Sequence, residues 1–251
     1  MGWLSPVQKS FERQAWGVRF AQVKEEPAQR AGDTEQNAHP TPAAGERDAM
    51  AHLGDNRHMT KLLIFAGSTR QNSFNRRLAH ATADLARAAG ADVTHLELST
   101  LDIPLYNADL EATGTPPDVM RLKDIMDAHP AWIIVSPEYN GSYTGLLKNT
   151  IDWASSPVKG HPVWGGRDPF AGKVVGLLSA SPGALGGLRS LSHLNPLLQN
   201  LQCWICPKQF ALGRAGDAFD EQGALKSDAH RHSAQAVVDQ VLWASARLHP
   251  V

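Results

Sequence analysis

Short stretches of unbroken apolar residues constrain this chain more than any other feature. Leu62-Leu63-Ile64-Phe65-Ala66, Ala131-Trp132-Ile133-Ile134-Val135 and Val174-Val175-Gly176-Leu177-Leu178 offer no polar side to water, and a further run spans Val93 to Leu98. A strand that is apolar on both sides must be covered on both faces, as in the interior of a parallel sheet. A last strand is placed near Cys203 to Cys206. Helical spacing fills the gaps. Phe74, Leu78, Ala81, Leu85 and Ala88 fall along one helix face, and so do Val119, Leu122 and Met126, with Lys123 as a polar interruption. Residues around Leu188 to Leu201 and Ala229 to Leu248 read as later helices. Alternation of strand and helix predicts a doubly wound α/β sandwich.

Charge and composition exclude several classes. Lys and Arg number 24 against 25 Asp and Glu, so the chain lacks the basic excess that nucleic-acid binding rests on. No apolar run approaches the ~18 residues that suggest a membrane span. Two cysteines cannot staple a chain of 251 residues, which points to a reducing, cytoplasmic setting and a core-stabilised fold. From Glu25 to His58 almost nothing is bulky and apolar. Residues 1–58 are therefore expected to be a disordered extension, and residues 59–251 the working domain.

Ligands of doubly wound sheets gather beyond the carboxyl ends of the strands. After the first strand comes Gly67-Ser68-Thr69-Arg70-Gln71-Asn72-Ser73-Phe74-Asn75, with neither a dinucleotide glycine pattern nor a P-loop. It offers hydroxyls, a guanidinium and an amide at a helix start, where unpaired N–H groups favour an anion. Any one of Ser73 or Asn75 could simply cap the helix, but the whole cluster of Ser68, Arg70, Ser73 and Asn75 fits a phosphate. After the third strand comes Ser136-Pro137-Glu138-Tyr139-Asn140-Gly141-Ser142-Tyr143-Thr144-Gly145, then Leu146-Leu147-Lys148-Asn149-Thr150-Ile151-Asp152-Trp153. Glycines and a proline in one turn allow close backbone approach to a flat ligand, and the tyrosines provide walls. The helix that follows is read as packing.

The motif G-S-T-R-x-x-S-x-N, together with S-P-E-Y-N-G-S-Y-T-G-L-L-K-N-T-I-D-W, resembles the NADPH-dependent FMN reductase family. That flavodoxin-like group includes quinone, chromate and azo-dye reductases. The similarity runs from about Lys61 to Leu248, and Leu101 to Asn107 also looks like the family's loop after strand two. It implies a flavodoxin-like doubly wound sheet of five parallel strands in the order 2-1-3-4-5, carrying one FMN. Carried over by position, Ser68, Arg70, Ser73 and Asn75 cradle the phosphate, and Pro137, Glu138, Tyr139, Asn140 and Gly141 line the ring. The segment Ser181-Pro182-Gly183-Ala184-Leu185-Gly186-Gly187 looks like a third contact, with Ser181, Gly183 and Gly187 along the pyrimidine edge. The implied activity is hydride transfer from NADPH or NADH to FMN and onward to a small-molecule acceptor: a quinone, an azo compound, a metal oxyanion or free flavin. No side chain need shuttle protons, so no catalytic residue is assigned. The resemblance also implies a homodimer or homotetramer, with the Asn140 to Gly145 loop and the helix Leu146 to Trp153 bordering the interface.

Other features receive plainer readings. Cys203 and Cys206 are three apart on a predicted strand and face opposite sides, so they are not paired for redox work. His230 and His232, two apart on a helix, point about 200° away from each other and are read as surface residues; no metal site is expected. Trp164 lies in a long loop and is expected, with Tyr143 and Trp204, to leave aromatic surface near the rim of the site. Two rival functions are a flavodoxin-type electron carrier and a flavin-binding regulator. Against the carrier, residues 59–251 hold as many basic as acidic groups, whereas carriers are usually acidic.

Overall fold

The computed structural model describes residues 59–166 and 168–250. In it the apolar runs become neighbouring strands: β1 (Lys61–Ala66), β2 (Asp92–Leu96), β3 (Ala131–Val135), β4 (Val174–Ala180) and β5 (Trp204–Leu212). All pairings are parallel and the order is β2-β1-β3-β4-β5, as expected. Every residue of β3 and β4 is buried, which is why these two strands show no alternation in sequence. The expectation for residues 1–58 lies outside the described residues.

Among the described residues, five α-helices lie between the strands, α1 (Phe74–Ala88), α2 (Ala108–Thr113), α3 (Pro117–Asp127), α4 (Gly145–Ser155) and α5 (Leu188–Asn200), and α6 (Asp228–Leu248) follows β5. They divide between the two faces. Leu62, Ile64, Ile133 and Leu178 pack with α1 and α6 on one side. Leu63, Phe65, Trp132, Ile134 and Leu177 pack with α3, α4 and α5 on the other. Period-two strand geometry thus feeds two separate cores, and each fully buried large side chain contributes about 1.5–3 kcal/mol. Among the described residues, no helix is long and apolar enough to cross a membrane.

The cysteines follow the same division. Cys203 sits in the α3–α5 core and Cys206 in the α1–α6 core, and both are free. Opposite placement keeps them from pairing, as their spacing implied.

Lys123 interrupts the apolar face of α3 because it serves another helix. Fully buried, it donates to the Ala154 carbonyl at 2.7 Å and the Ser156 carbonyl at 2.6 Å. An ammonium at the C-terminus of α4 satisfies carbonyls that lack intrahelical partners and meets the negative end of the dipole.

The expected aromatic rim does not form. Trp164 is only 2% exposed, with its indole N–H donating to Asp124 Oδ1 at 3.2 Å. Tyr143 is half-buried against the α3–α5 core. Trp204 is exposed, but it opens β5 and so lies at the amino end of the sheet, opposite the strand ends where ligands gather. Loop length alone misled here: packing on Asp124 and Lys123 draws the Trp164 loop inward.

Candidate functional site

Strands β1, β3 and β4 are consecutive in the sheet, so the loops after them emerge side by side at its carboxyl edge. Backbone and side chain bind these loops together. The Gly67 N–H donates to the Val135 carbonyl at 2.9 Å, and Ser136 N–H donates to the Leu178 carbonyl at 2.8 Å. Thr144 caps α4 by accepting from Leu147 N–H at 3.2 Å, while its hydroxyl donates to the Gly67 carbonyl at 2.8 Å. Asn75, in the first turn of α1, reaches across to the end of β4 and pairs with both backbone groups of Ala180.

Between the loops lies a cavity of about 260 Å³. Ser68, Arg70, Ser73, Asn75, Pro137, Glu138, Tyr139 and Ser181 line it, so eight of the residues picked out in the sequence converge on one hollow. Asn140, Gly141, Gly183 and Gly187 stand around it rather than on its wall. Phe74, Ala180 and Pro182 also line it. Phe74 was legible only as part of a helix face, and Ala180 lies just past the apolar run that marks β4.

The first loop has the makings of an anion cradle. Ser73 caps α1, its Oγ accepting from Arg76 N–H at 3.5 Å, and Ser68 Oγ accepts from Arg70 N–H at 3.4 Å. In both cases the hydroxyl acts as acceptor, which leaves its own proton to donate. Capping and anion binding are therefore compatible at these serines. The first-turn N–H groups of α1 and the positive end of its dipole add to the set. Arg70 is exposed, with its guanidinium 5.8 Å from the Phe74 ring centroid at the cavity mouth. Asn75 spends its carbonyl and one amide proton on Ala180, which makes it chiefly a clamp between the first and third loops.

The second loop turns sharply at Asn140 and Gly141, whose φ values are 51° and 81°. Tyr139 and Ser142 exchange N–H···O bonds of 2.9 and 3.0 Å across that tip. Positive φ at both central residues is what a type I′ hairpin requires, and Asn-Gly is the pair best suited to it. Tyr139 is left 59% exposed, presenting an aromatic surface beside Pro137. Glu138 turns the other way. Its carboxylate accepts from Arg189 Nε at 2.7 Å and from Arg189 N–H at 3.2 Å, and it also contacts the Arg189 terminal nitrogen. The acid is thereby neutralised by a guanidinium and by the first turn of α5.

In the third loop, glycine is obligatory where the chain folds on itself. Gly186 has φ 64°, and a Cβ there would lie 2.6 Å from Ala211 C and Gly213 N. Gly187, at φ 89°, precedes α5, and a Cβ would lie 2.8 Å from Ser179 Oγ. These close approaches give the Gly-rich segment a structural cause of its own.

The helix read from the sequence as packing does more: two residues of α4 also shape the loop after β2. Asn149 accepts from Tyr106 N–H at 2.7 Å and donates to the Pro104 carbonyl at 2.9 Å; Trp153 donates to that carbonyl at 2.8 Å. A shallower depression beside Leu85 and the first turn of α6 has no such convergence of donors, since its Arg231 is engaged by Asp228 and by the Leu225 and Lys226 carbonyls.

Residues 60–217 match the family model described as NADPH-dependent FMN reductase. An NAD(P)H-dependent FMN reductase of Pseudomonas aeruginosa is 36% identical over 188 residues, covering 73% of this chain and 94% of that protein. A quinone reductase of Pseudomonas putida is 35% identical, covering 70% of this chain and 90% of the relative. Among solved structures, the flavoenzyme NAD(P)H:(acceptor) oxidoreductase FerB from Paracoccus denitrificans superposes with a TM-score of 0.66 at 27% identity, covering 75% of this chain and 98% of that one.

Proposed function

The chain belongs to the NADPH-dependent FMN reductase family, and from that premise we propose how its site holds the cofactor and which acceptor it serves. It is an NAD(P)H-dependent FMN oxidoreductase. In our reading Ser68, Arg70, Ser73 and the first turn of α1 hold the FMN phosphate, with Asn75 fixing the floor. Pro137, Glu138, Tyr139, Asn140 and Gly141 flank the ring, and Ser181, Gly183 and Gly187 border its other edge.

The cavity supports this fit. At about 260 Å³ it is smaller than the roughly 300–1,000 Å³ of pockets that envelop a ligand. It would have room for a phosphate, and Tyr139 at its edge stays exposed. Bound there, FMN would supply two-electron exchange between a reduced nicotinamide and a second substrate. The chain's own part is to grip the phosphate, hold the ring edge against rigid backbone and keep one face accessible. Glu138 is tied to Arg189.

We assign a quinone-class acceptor, on the strength of the quinone reductases among the relatives. Either NADPH or NADH serves as donor. The same reading takes residues 59–251 as the reductase domain and places it in a reducing, cytoplasmic setting. It includes a homodimer or homotetramer bordered by the Asn140 to Gly145 loop and α4.

The single observation that carries this proposal is the meeting of hydroxyls, a guanidinium and a helix start at the carboxyl ends of β1, β3 and β4. Anaerobic stopped-flow mixing of FMN-loaded protein with NADPH, then NADH, tests it. Flavin absorbance should bleach within seconds with at least one donor and return when benzoquinone is added. A flavin that binds but is not reduced would return the protein to the class of carriers or regulators. Light scattering should give at least twice the 27.2 kDa chain mass, and a fully active monomer would overturn the assembly.

A further inference from the structure

Away from the cavity, β2 and α1 bring three ligand-type side chains together. His95 lies on β2, Glu97 follows it, and His80 faces them from α1. Each side chain offers one ligand atom, a ring nitrogen of His80, a ring nitrogen of His95 and a Glu97 carboxylate oxygen, and the three lie within 4.8 Å of one another. Among the described residues, this is the one group of three or more His, Cys, Asp or Glu side chains so placed. We propose that it is a binding site for a divalent transition metal of the zinc, nickel or copper class.

The geometry is close to what such an ion requires. Metal–ligand bonds of about 2.0–2.1 Å place neighbouring ligands of a tetrahedron roughly 3.3 Å apart. His80 Nε2 is 3.1 Å from Glu97 Oε1, and His95 Nδ1 is 3.9 Å from the same oxygen. Side-chain movements of up to about 1.5 Å bring three atoms that lie within 4.8 Å of one another to that spacing. The two imidazole rings already lie against each other, their centroids 4.1 Å apart.

The carboxylate is aimed by its surroundings. Arg76 Nε holds the second oxygen, Oε2, at 2.8 Å, and the Glu97 backbone carbonyl accepts from the Thr100 hydroxyl at 2.8 Å. Oε1 is thereby left toward the two histidines, the arrangement by which outer hydrogen bonds orient a metal ligand. Two imidazole nitrogens and one carboxylate oxygen suit a borderline ion, and not calcium or magnesium, which take oxygen sets. Three protein ligands leave at least one position for water. The His95 side chain is 10% exposed and Glu97 21%, while His80 is 58% exposed, so the ion enters from the His80 side. Binding replaces the hydrogen bond between His80 Nε2 and Glu97 Oε1.

Isothermal titration of the full chain with Zn²⁺ alone, on the wild type and on His80→Gln, decides the matter. Histidines elsewhere in the chain bind zinc weakly, so the readout is the difference between isotherms. The wild type should show one saturable one-to-one step that His80→Gln weakens by more than about tenfold. Glu97→Gln should do the same; because it also loosens Arg76, the exposed His80→Gln variant, checked by an unchanged metal-free melting curve, carries the decision. A wild-type isotherm without such a step, or one that His80→Gln leaves unchanged, overturns the proposal. The outcome is independent of whether flavin is reduced.

Discussion

Asn75 holds both backbone groups of Ala180: Nδ2 donates to the carbonyl at 2.8 Å and Oδ1 accepts from the N–H at 2.9 Å. The pair joins residues 105 positions apart and is buried. It locks the start of α1, which frames the first loop, to the end of β4, which launches the third.

Replacing Asn75 by Ala should therefore damage fold and site together. Two buried backbone groups lose their partner, at a cost of about 1–3 kcal/mol. Urea unfolding should show the loss, and FMN titration should show weaker binding in the same variant. Stability equal to the wild type would mean that the clamp contributes nothing.

Arg70→Ala should separate the two effects. The side chain is exposed, with its guanidinium over the Phe74 ring, so unfolding should barely change. Loss of a charge-assisted contact to phosphate should weaken FMN by about 1.5–3 kcal/mol, roughly 10- to 150-fold. Fluorescence titration with FMN checks this, and an unchanged dissociation constant would remove Arg70 from the cradle.

Burial pushes the Lys123 ammonium down from 10.5 to about 8, while Asp168 and Glu111 pull the other way. Between those values the unfolded chain holds more protons on this lysine than the folded one. Its contribution to stability therefore rises with pH across that window and is flat below it. Lys123→Met keeps the apolar stem and removes the titration. Urea midpoints at about pH 7.5 and about pH 10 should show the wild type gaining on the variant as pH rises. Parallel midpoints would show that Lys123 does not titrate in this range.

Burial also raises both thiols, Cys203 to about 12 and Cys206 to about 11. At pH 8 neither forms thiolate in the folded protein, so both should resist alkylation. Ellman's reagent should find two thiols after denaturation and essentially none before. Rapid labelling of the folded protein would contradict their placement.

Legibility in the sequence followed burial. β1, β3 and β4 could be read directly because both their faces are covered, so apolar character alone marks them. β5 is an edge strand with exposed Pro207 and Lys208 and a register shift opposite Val175 and Leu177, so only its start was visible from the cysteines. The first and second loops were legible because hydroxyls, Arg70 and Asn140-Gly141 are concentrated within a few positions. Long-range pairings left no such trace. Nothing in the spacing of Asn75 and Ala180, or of His80 and Glu97, shows that they touch, and Lys123 looks like an error in a helix face until the end of α4 is seen against it.

The hairpin tip at Asn140-Gly141 has a consequence for how this site can change over generations. Its shape depends on two positive φ angles and on backbone bonds between Tyr139 and Ser142. Backbone bonds do not read side chains, so positions 139 and 142 can be re-lettered without unmaking the platform, whereas Asn140-Gly141 must keep residues that tolerate the left-handed region. The aromatic surface that Tyr139 presents is thus uncoupled from the backbone that shapes the tip. Side chains at the mouth of the cavity can therefore be exchanged singly, each at little risk to the fold.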